Sequence, residues 1–379
     1  MIGTVVRGAA VCLALAGLLT CRLQPELETT TGTTTSMDER ELRRWRLVFL
    51  FLDDNDLAGT VDVAAHRIAA TPEGRDESYR IILRDSRYDG SAVEVVRQGE
   101  LARIPLAELP VGSLLSGEVL GRVLTVLHRE FPAEEQILVV SGHGRGWRGL
   151  GATAGAPMAV LSGASLAEAL DALPAEVGQI LVLEAGWSGF VENLYSLKDL
   201  PVAVIAAVTD VRRTGMDHPW WLQQADHAGW DREAIADFLV QAMREAQLTP
   251  EEPLWLHAED LETLPLVIDG VIREHGILPI GPDLQQQVQQ DLLGRAQTPV
   301  LPGEAHIALR DLDPLVPEQF RNLLLHLVLV DEHGGAVGHA REYRQESASR
   351  EHPFLTSQAW APDLLNRRGF LFDLWYRTW

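Results

Sequence analysis

Apolar residues recur along this chain in two rhythms. Short unbroken runs alternate with longer stretches spaced three and four apart. The first run, Arg46 to Leu52, has only Arg46 polar and stops at Asp53-Asp54-Asn55-Asp56. It predicts a buried strand ending in an acidic turn, followed by a helix over about Val61 to Ala70. Tyr79–Leu83 and Val93–Arg97 predict a hairpin around Arg87-Tyr88-Asp89-Gly90. Ser113 to Arg129 has helical spacing, with Ser113 as cap and Leu114, Val119, Val123, Leu124 and Leu127 inward. Gln136–Val140, Gln179–Leu183 and Val202–Val208 are further apolar runs, separated by helical stretches at Ser165 to Leu173 and Phe190 to Leu197. Strands alternating with helices imply an α/β fold with a mainly parallel sheet covered on both faces.

Beyond Val208 the pattern loosens. Asp210 to Trp230 predicts an irregular segment that gathers Arg212, Arg213, Gly215, Pro219, Trp220 and Trp221. An aromatic loop beside strand ends is a place for a groove or lid, or for tryptophans packed beneath it. Asp231 to Ala246 is helical in spacing, Pro253–Ala258 a strand, Leu261–His275 a helix and the glutamine-rich Asp283 to Leu293 another. Ala305–Leu309 and Leu323–Val330 add core, and an aromatic tail from Phe370 to Trp379 docks on the body.

Composition changes this picture in three ways. At 379 residues and 46% hydrophobic, the chain can bury one large core or two smaller ones. The formal net charge is −22 and no basic stripe is present, which argues against nucleic acid as partner. The two cysteines, Cys12 and Cys21, both lie in an N-terminal leader, Arg7 followed by apolar Gly8 to Leu19. That leader is a secretory signal in pattern and short for a membrane span. Leu18-Leu19-Thr20-Cys21 resembles the bacterial lipoprotein cleavage box, with Cys21 as the acylated residue, although Thr20 is larger than the usual small residue there. Plain secretion or an uncleaved anchor are the other readings. The predicted organisation is a leader over 1–21, a threonine-rich tether over 22–44, a main domain over 45–250 and a C-terminal α/β extension over 251–379. After residue 21 there is no thiol, so the body has no disulfide, no cysteine metal ligand and no cysteine nucleophile.

Candidate chemistry concentrates between Ser141 and Glu192. The strand ending at Val140 runs into Ser141-Gly142-His143-Gly144-Arg145-Gly146-Trp147, and the next strand ends in Glu184-Ala185-Gly186-Trp187-Ser188-Gly189. These blocks resemble the clostripain family of cysteine peptidases, whose fold is a caspase-like α/β sandwich. His143-Gly144-Arg145-Gly146-Trp147 matches the family's His-Gly-x-Gly-Trp, and Asp54-Asn55-Asp56-Leu57 its acidic first turn. Glu184-Ala185-Gly186-Trp187-Ser188-Gly189 stands where the family has Asp-Ala-Cys-Leu-Met-Gly, with Glu192 in place a few residues on. His257-Ala258-Glu259-Asp260-Leu261 and the block Ile307 to Leu312 resemble two later family segments, so the similarity spans about Trp45 to the C-terminus.

By that resemblance His143 is the catalytic histidine, Gly186 the vacant nucleophile position, and the Gly144 and Gly186 amides the oxyanion donors. Glu184 and Asp210 are then acids of a pocket for Arg or Lys, unless Glu184 pairs internally with Arg145, Arg212 or Arg213. The resemblance also allows calcium. Asp54, Asp56, Gly59 and Asp62 have a superficial calcium-loop spacing but no closing glutamate, because Ala65 stands there, so the residues themselves call for no metal and no cofactor. The expected function is a non-catalytic peptidase homologue of the bacterial cell envelope that binds a peptide or protein. The alternatives are an active hydrolase using Ser188 or an activated water with His143, and a purely structural envelope lipoprotein. Ser141, two residues before His143, shares its sheet face and sits beside it rather than across a scissile bond.

Overall fold

A computed structural model describes residues 41–52, 57–72, 77–86, 90–104, 113–151, 160–264, 266–267, 305–312 and 315–327. The chain divides into two units, Met1–Glu39 and Arg40–Trp379, and everything described belongs to the second. The leader, Cys21, the tether up to residue 40, the turn at 53–56, the helix expected over 283–293 and the aromatic tail lie outside the described residues, while residues 43 and 44 of the expected tether already belong to the first strand.

The central strand is the first apolar run, β1 (Arg43–Leu52). It pairs in parallel with β2 (Ser78–Ser86) on one side and with β5 (Ala133–Gly142) on the other. Beyond β5 follow β6 (Gly178–Glu184) and β7 (Val202–Ala206), both parallel. Antiparallel strands close both edges: β3 (Gly90–Arg97) and β4 (Glu100–Arg103) beyond β2, and β8 (Leu254–His257) beyond β7. The eight-stranded order is β4-β3-β2-β1-β5-β6-β7-β8. This is the expected α/β architecture with a mainly parallel sheet, and it runs past residue 250, where the main domain was expected to end. A separate hairpin, β9 (Ala305–Ala308) with β10 (Leu324–Leu327), carries the last described segment.

The period-two alternation of buried strands explains the two cores. On β1, Val48, Leu50 and Leu52 point into one cluster, with Leu138, Val140, Leu181 and Leu183 beside them. Trp45, Leu47, Phe49 and Phe51 point into the other, with Ile137, Val139, Ile180 and Val182. The first face is covered by α2 (Gly117–Glu130) and α3 (Gly163–Asp171), the second by α1 (Ala58–Ala70), α5 (His218–His227) and α6 (Arg232–Ala246). The short α4 (Val191–Leu194) and a 3-10 turn at Tyr195–Leu197 replace the single helix expected over Phe190 to Leu197.

Local chemistry places the helix starts. Ser116, not Ser113, caps α2, its hydroxyl accepting from the Val119 amide, while Ser113 donates to Asp85 instead. Ser162 and Asp231 cap α3 and α6 in the same way. The segment expected to be irregular contains α5, begun by Pro219 in its first turn. Its Trp221 is fully buried, and Trp220 packs edge-on against Phe238 at 6.2 Å. The helix expected from Leu261 opens as a 3-10 turn over Ala258–Thr263 and is α-helical at Leu264, Leu266 and Val267, the last of it that is described.

Arg46 is the one polar residue in the first run, and it is 0% exposed. Its guanidinium donates to Gln136 Oε1 at 2.8 Å and to the Phe131 carbonyl at 3.1 Å, and lies 3.1 Å from His128 Nδ1. All of these are neutral acceptors, so burial pulls its pKa down from the ordinary arginine range to about 10. His128 is held below its ordinary 6.5, first by burial and then by the Arg46 charge. Protonating its ring would also remove the acceptor that Arg46 uses. The unfolded chain therefore binds this proton more readily than the folded one. The stability it contributes is complete above pH 6.5 and is lost as pH falls through the lowered folded value. We expect the melting temperature of the wild type to fall more steeply than that of His128→Gln below pH 6.5, measured by thermal denaturation across that range. Parallel slopes would refute this assignment.

Candidate functional site

In the strand order, the chain leaves β1 toward β2 on one side and returns to β5 on the other. The carboxyl ends of β1, β5, β6 and β7 thus meet at the point where an open α/β sheet forms its crevice. His143 follows β5 directly and is half-buried. Its carbonyl accepts from the Gly151 amide at 2.7 Å, and Arg145 N donates to Gly149 O at 2.9 Å. These pairs fold residues 143–151 back on themselves, and Leu150 pairs with Leu161 to fix the loop to α3.

Gly144 packs directly on Gly186. A Cβ built on Gly144 would collide with the Gly186 carbonyl oxygen and stand 2.6 Å from its carbon and 3.0 Å from its nitrogen. Only glycine permits this approach, so the glycine after the histidine brings the ends of β5 and β6 into main-chain contact. Gly186 itself has room to its other side: a Cβ there would lie 3.1 Å from Asp210 Cα and Oδ1, and 3.3 Å from Val211 N. A side chain at this position would face the exit of β7, with its neighbours shifting by a few tenths of an ångström. The structure thus brings together His143, Gly144, Gly186 and Asp210.

The residues that follow are held one by one. Trp187 adopts φ 59°, a left-handed conformation costly for a bulky residue. Its amide donates to Thr209 O at 3.1 Å and its indole Nε1 to Asp210 Oδ1 at 2.8 Å. Ser188 is 0% exposed; its hydroxyl donates to Leu183 O at 2.9 Å and accepts from Ala207 N at 3.1 Å. It closes the gap where β6 and β7 part, and it is not available as a nucleophile. Asn193, fully buried on α4, donates to Gly146 O at 2.8 Å and so ties the histidine loop to the helix after the second block.

Glu184 takes none of its expected partners. It ends β6 on the same face as Ile180 and Val182, toward α5, and is 2% exposed. Oε1 accepts from the Met216 amide, and Oε2 lies 3.2 Å from His218 Nε2. Trp221 Nε1 donates to His218 Nδ1 at 3.2 Å, which leaves the imidazole proton on Nε2, facing the carboxylate. Phe49 packs edge-on over the same ring at 5.3 Å. Gly215, at φ 64°, admits the carboxylate, since a Cβ there would collide with Oε1. Glu184 is therefore internal, paired with His218 rather than with Arg145, Arg212 or Arg213, and it is not an open specificity acid. A cleft of about 320 Å³ including its mouth lies next to it, between α1 and Thr214–Pro219, with Met216 and His218 in its wall.

Asp210 is different: it is exposed, its carbonyl accepts from Leu248 N at 2.8 Å, and its carboxylate meets the Trp187 indole. Gln247, buried, accepts from Val208 N at 2.8 Å and donates to Glu251 O at 2.6 Å, which braces the exit of β7. Sequence reasoning missed Asn193 and Gln247, since polar residues that bond to main chain leave no periodic trace, and His218, which lies in a stretch that reads as irregular. Among the described residues no three His, Cys, Asp or Glu side chains cluster as a metal would require; Asp54 and Asp56 lie outside them.

Because Ser188 bridges two main-chain groups, Ser188→Ala leaves the buried Ala207 amide only its long 3.5 Å bond to Leu183 O. We expect a loss of about 1–3 kcal/mol in urea denaturation. Unchanged stability would show that the hydroxyl does not serve this structural role.

No family model and no curated protein matches the chain. Solved structures do. An inactive zymogen C11 protease from Parabacteroides distasonis is 15% identical over 75% of this chain and 81% of that one, with a TM-score of 0.54. A secreted C11 cysteine protease from Bacteroides thetaiotaomicron, in complex with an irreversible peptide inhibitor, is 16% identical over 61% of this chain and 70% of that one, with a TM-score of 0.49. A second structure of that protease is 15% identical over 65% and 75%, with the same TM-score. At such identity the likeness speaks to architecture, and the zymogen match supplies it: this chain has the caspase-like fold of the C11, or clostripain-type, cysteine proteases.

Proposed function

We propose that this protein is a catalytically silent homologue of the C11 proteases that binds peptides or protein segments carrying Arg or Lys. The observation that carries the reading is the contact between Gly144 and Gly186. It sets the histidine strand end against a residue that has no side chain, in a body with no thiol after residue 21. Acyl transfer in such a fold needs a nucleophile beside the histidine and amides facing the oxyanion. His143 supplies the base and Gly186 supplies nothing to activate. Removing the nucleophile of a comparable hydrolase costs about 10⁶ in turnover, which leaves binding as the surviving property.

The binding parts are distributed as follows. The Gly144 and Gly186 amides are the donors for a substrate carbonyl in this reading. Arg145 N and Gly151 N make the bonds that close the histidine loop, so the Gly144 amide is not spent on them. Asp210, exposed at the next strand end, is the acid that receives a cationic side chain; Glu184 holds the wall behind it through His218. Charge of −22 favours the approach of a basic ligand. Export follows from the leader, and acylation of Cys21 through the Thr-rich tether would hold the domain at the bacterial envelope. No step requires calcium.

Arg- and Lys-terminated fluorogenic peptides test the reading. We expect no turnover above buffer, with or without calcium, and binding of the same peptides by calorimetry. Turnover abolished by His143→Ala would overturn it. Gly186→Cys needs only small shifts of Asp210 and Val211, and we expect it to gain cleavage after basic residues that iodoacetamide stops.

A further inference from the structure

Asp210 is an exposed carboxylate just past the end of β7, and among the described residues its one side-chain partner is neutral: the indole N–H of Trp187, 2.8 Å from Oδ1. No described arginine or lysine lies at ion-pair distance from it, although Arg212 and Arg213 are close in sequence. The same oxygen stands 3.1 Å from the point where a side chain on Gly186 would begin. One carboxylate oxygen is thus shared between the indole and the vacated nucleophile position.

Trp187 reaches this oxygen from a backbone that resists it. A φ of 59° suits glycine or asparagine and is unfavourable for tryptophan, and such conformations persist where surrounding contacts impose them. The Trp187 amide bonded to Thr209 O fixes the backbone, while the indole is half-exposed and packs along the rim of the first core cluster. Asp210 is fixed the other way about, through its carbonyl, which Leu248 N holds. Main-chain bonds thus fix both backbones, and exchange at Oδ1 turns on rotation of the side chains.

We propose that Trp187 is a displaceable gate: its indole occupies Asp210 in the resting protein, and a ligand guanidinium must take Oδ1 from it to bind. This rests on the reading of Asp210 as the acid for basic peptides. The exchange replaces a neutral N–H donor by a charged planar fork, which a carboxylate prefers and which arginine presents better than lysine. Binding by the resting protein is weakened by the hydrogen bond that must be broken, a factor of about two to ten. Arginine peptides are then favoured over lysine peptides because only the fork compensates on both oxygens.

The test is calorimetric titration of the full chain with acetyl-Gly-Gly-Arg-amide, comparing the wild type, Trp187→Phe and Asp210→Asn. Trp187→Phe keeps the ring and removes the N–H. It is expected to bind about two- to tenfold more tightly than the wild type, and adding Asp210→Asn should abolish that gain. Equal or weaker binding by Trp187→Phe, with Asp210→Asn still weakening the wild type, overturns the gate and leaves the groove intact. Binding unaffected by Asp210→Asn also overturns it. Absence of binding by every variant overturns the peptide-binding function itself. If Trp187→Phe fails to fold, Trp187→Gly relieves the left-handed backbone and takes its place. In the unmodified protein the Trp187 indole ¹⁵N–¹H resonance, assigned by its loss in the variant, should move on peptide addition; a resonance that stays fixed at saturation overturns the gate.

Discussion

Two glycine backbones touching across adjacent strand ends set the terms for this site. Gly144 and Gly186 pack so closely that neither turn can shift without the other, and both histidine and crevice are measured from that contact. It exists because β5 and β6 pair in parallel register from Glu135 with Gly178 to Ser141 with Glu184, so that both strands run out together. The cores on either face fix the register, since a one-residue slip would turn Leu181 and Leu183 into the wrong cluster. Hydrophobic alternation thus determines, at some distance, where a histidine and a missing side chain meet.

Around that contact the polar groups divide into those that brace and those that remain available. Ser188, Asn193 and Gln247 are buried and committed to main chain; Glu184 is committed to Met216 and His218. Each satisfies a group that the end of a strand or turn would leave bare, as buried polar groups must be. Asp210 is the exception, its carboxylate solvent-facing and met by a neutral indole. Two acids one strand apart thus end with opposite lives, and the difference comes from which face each residue takes as its strand ends.

Much of this was legible in the sequence. The unbroken apolar runs gave β1, β5, β6 and β7, and the glycine-rich turns after β5 and β6 marked the edge where chemistry gathers. Glu184 shows what pattern cannot convey: its alternation with Ile180 and Val182 pointed it at α5, but the stretch holding α5 read as irregular, because Pro219 and adjacent tryptophans mask helical spacing. His218 was hidden with it. Trp187 was legible as an oddity in its block, yet its bond to Asp210 depends on a left-handed turn that only coordinates reveal.

The last described strand has a bearing on how the site comes into being. Leu324 N donates to Gly189 O at 3.0 Å, and Phe190 pairs with Leu324, so the turn after the second block is completed by a segment from far along the chain. Chains are made from the amino end, and domains settle as their parts emerge. The sheet can assemble early from β1 to β8, whereas the crevice waits for residue 324. A chain interrupted before that point would own the architecture and lack a finished edge, which makes the hairpin at the end of the described chain a maturation step written into the order of synthesis.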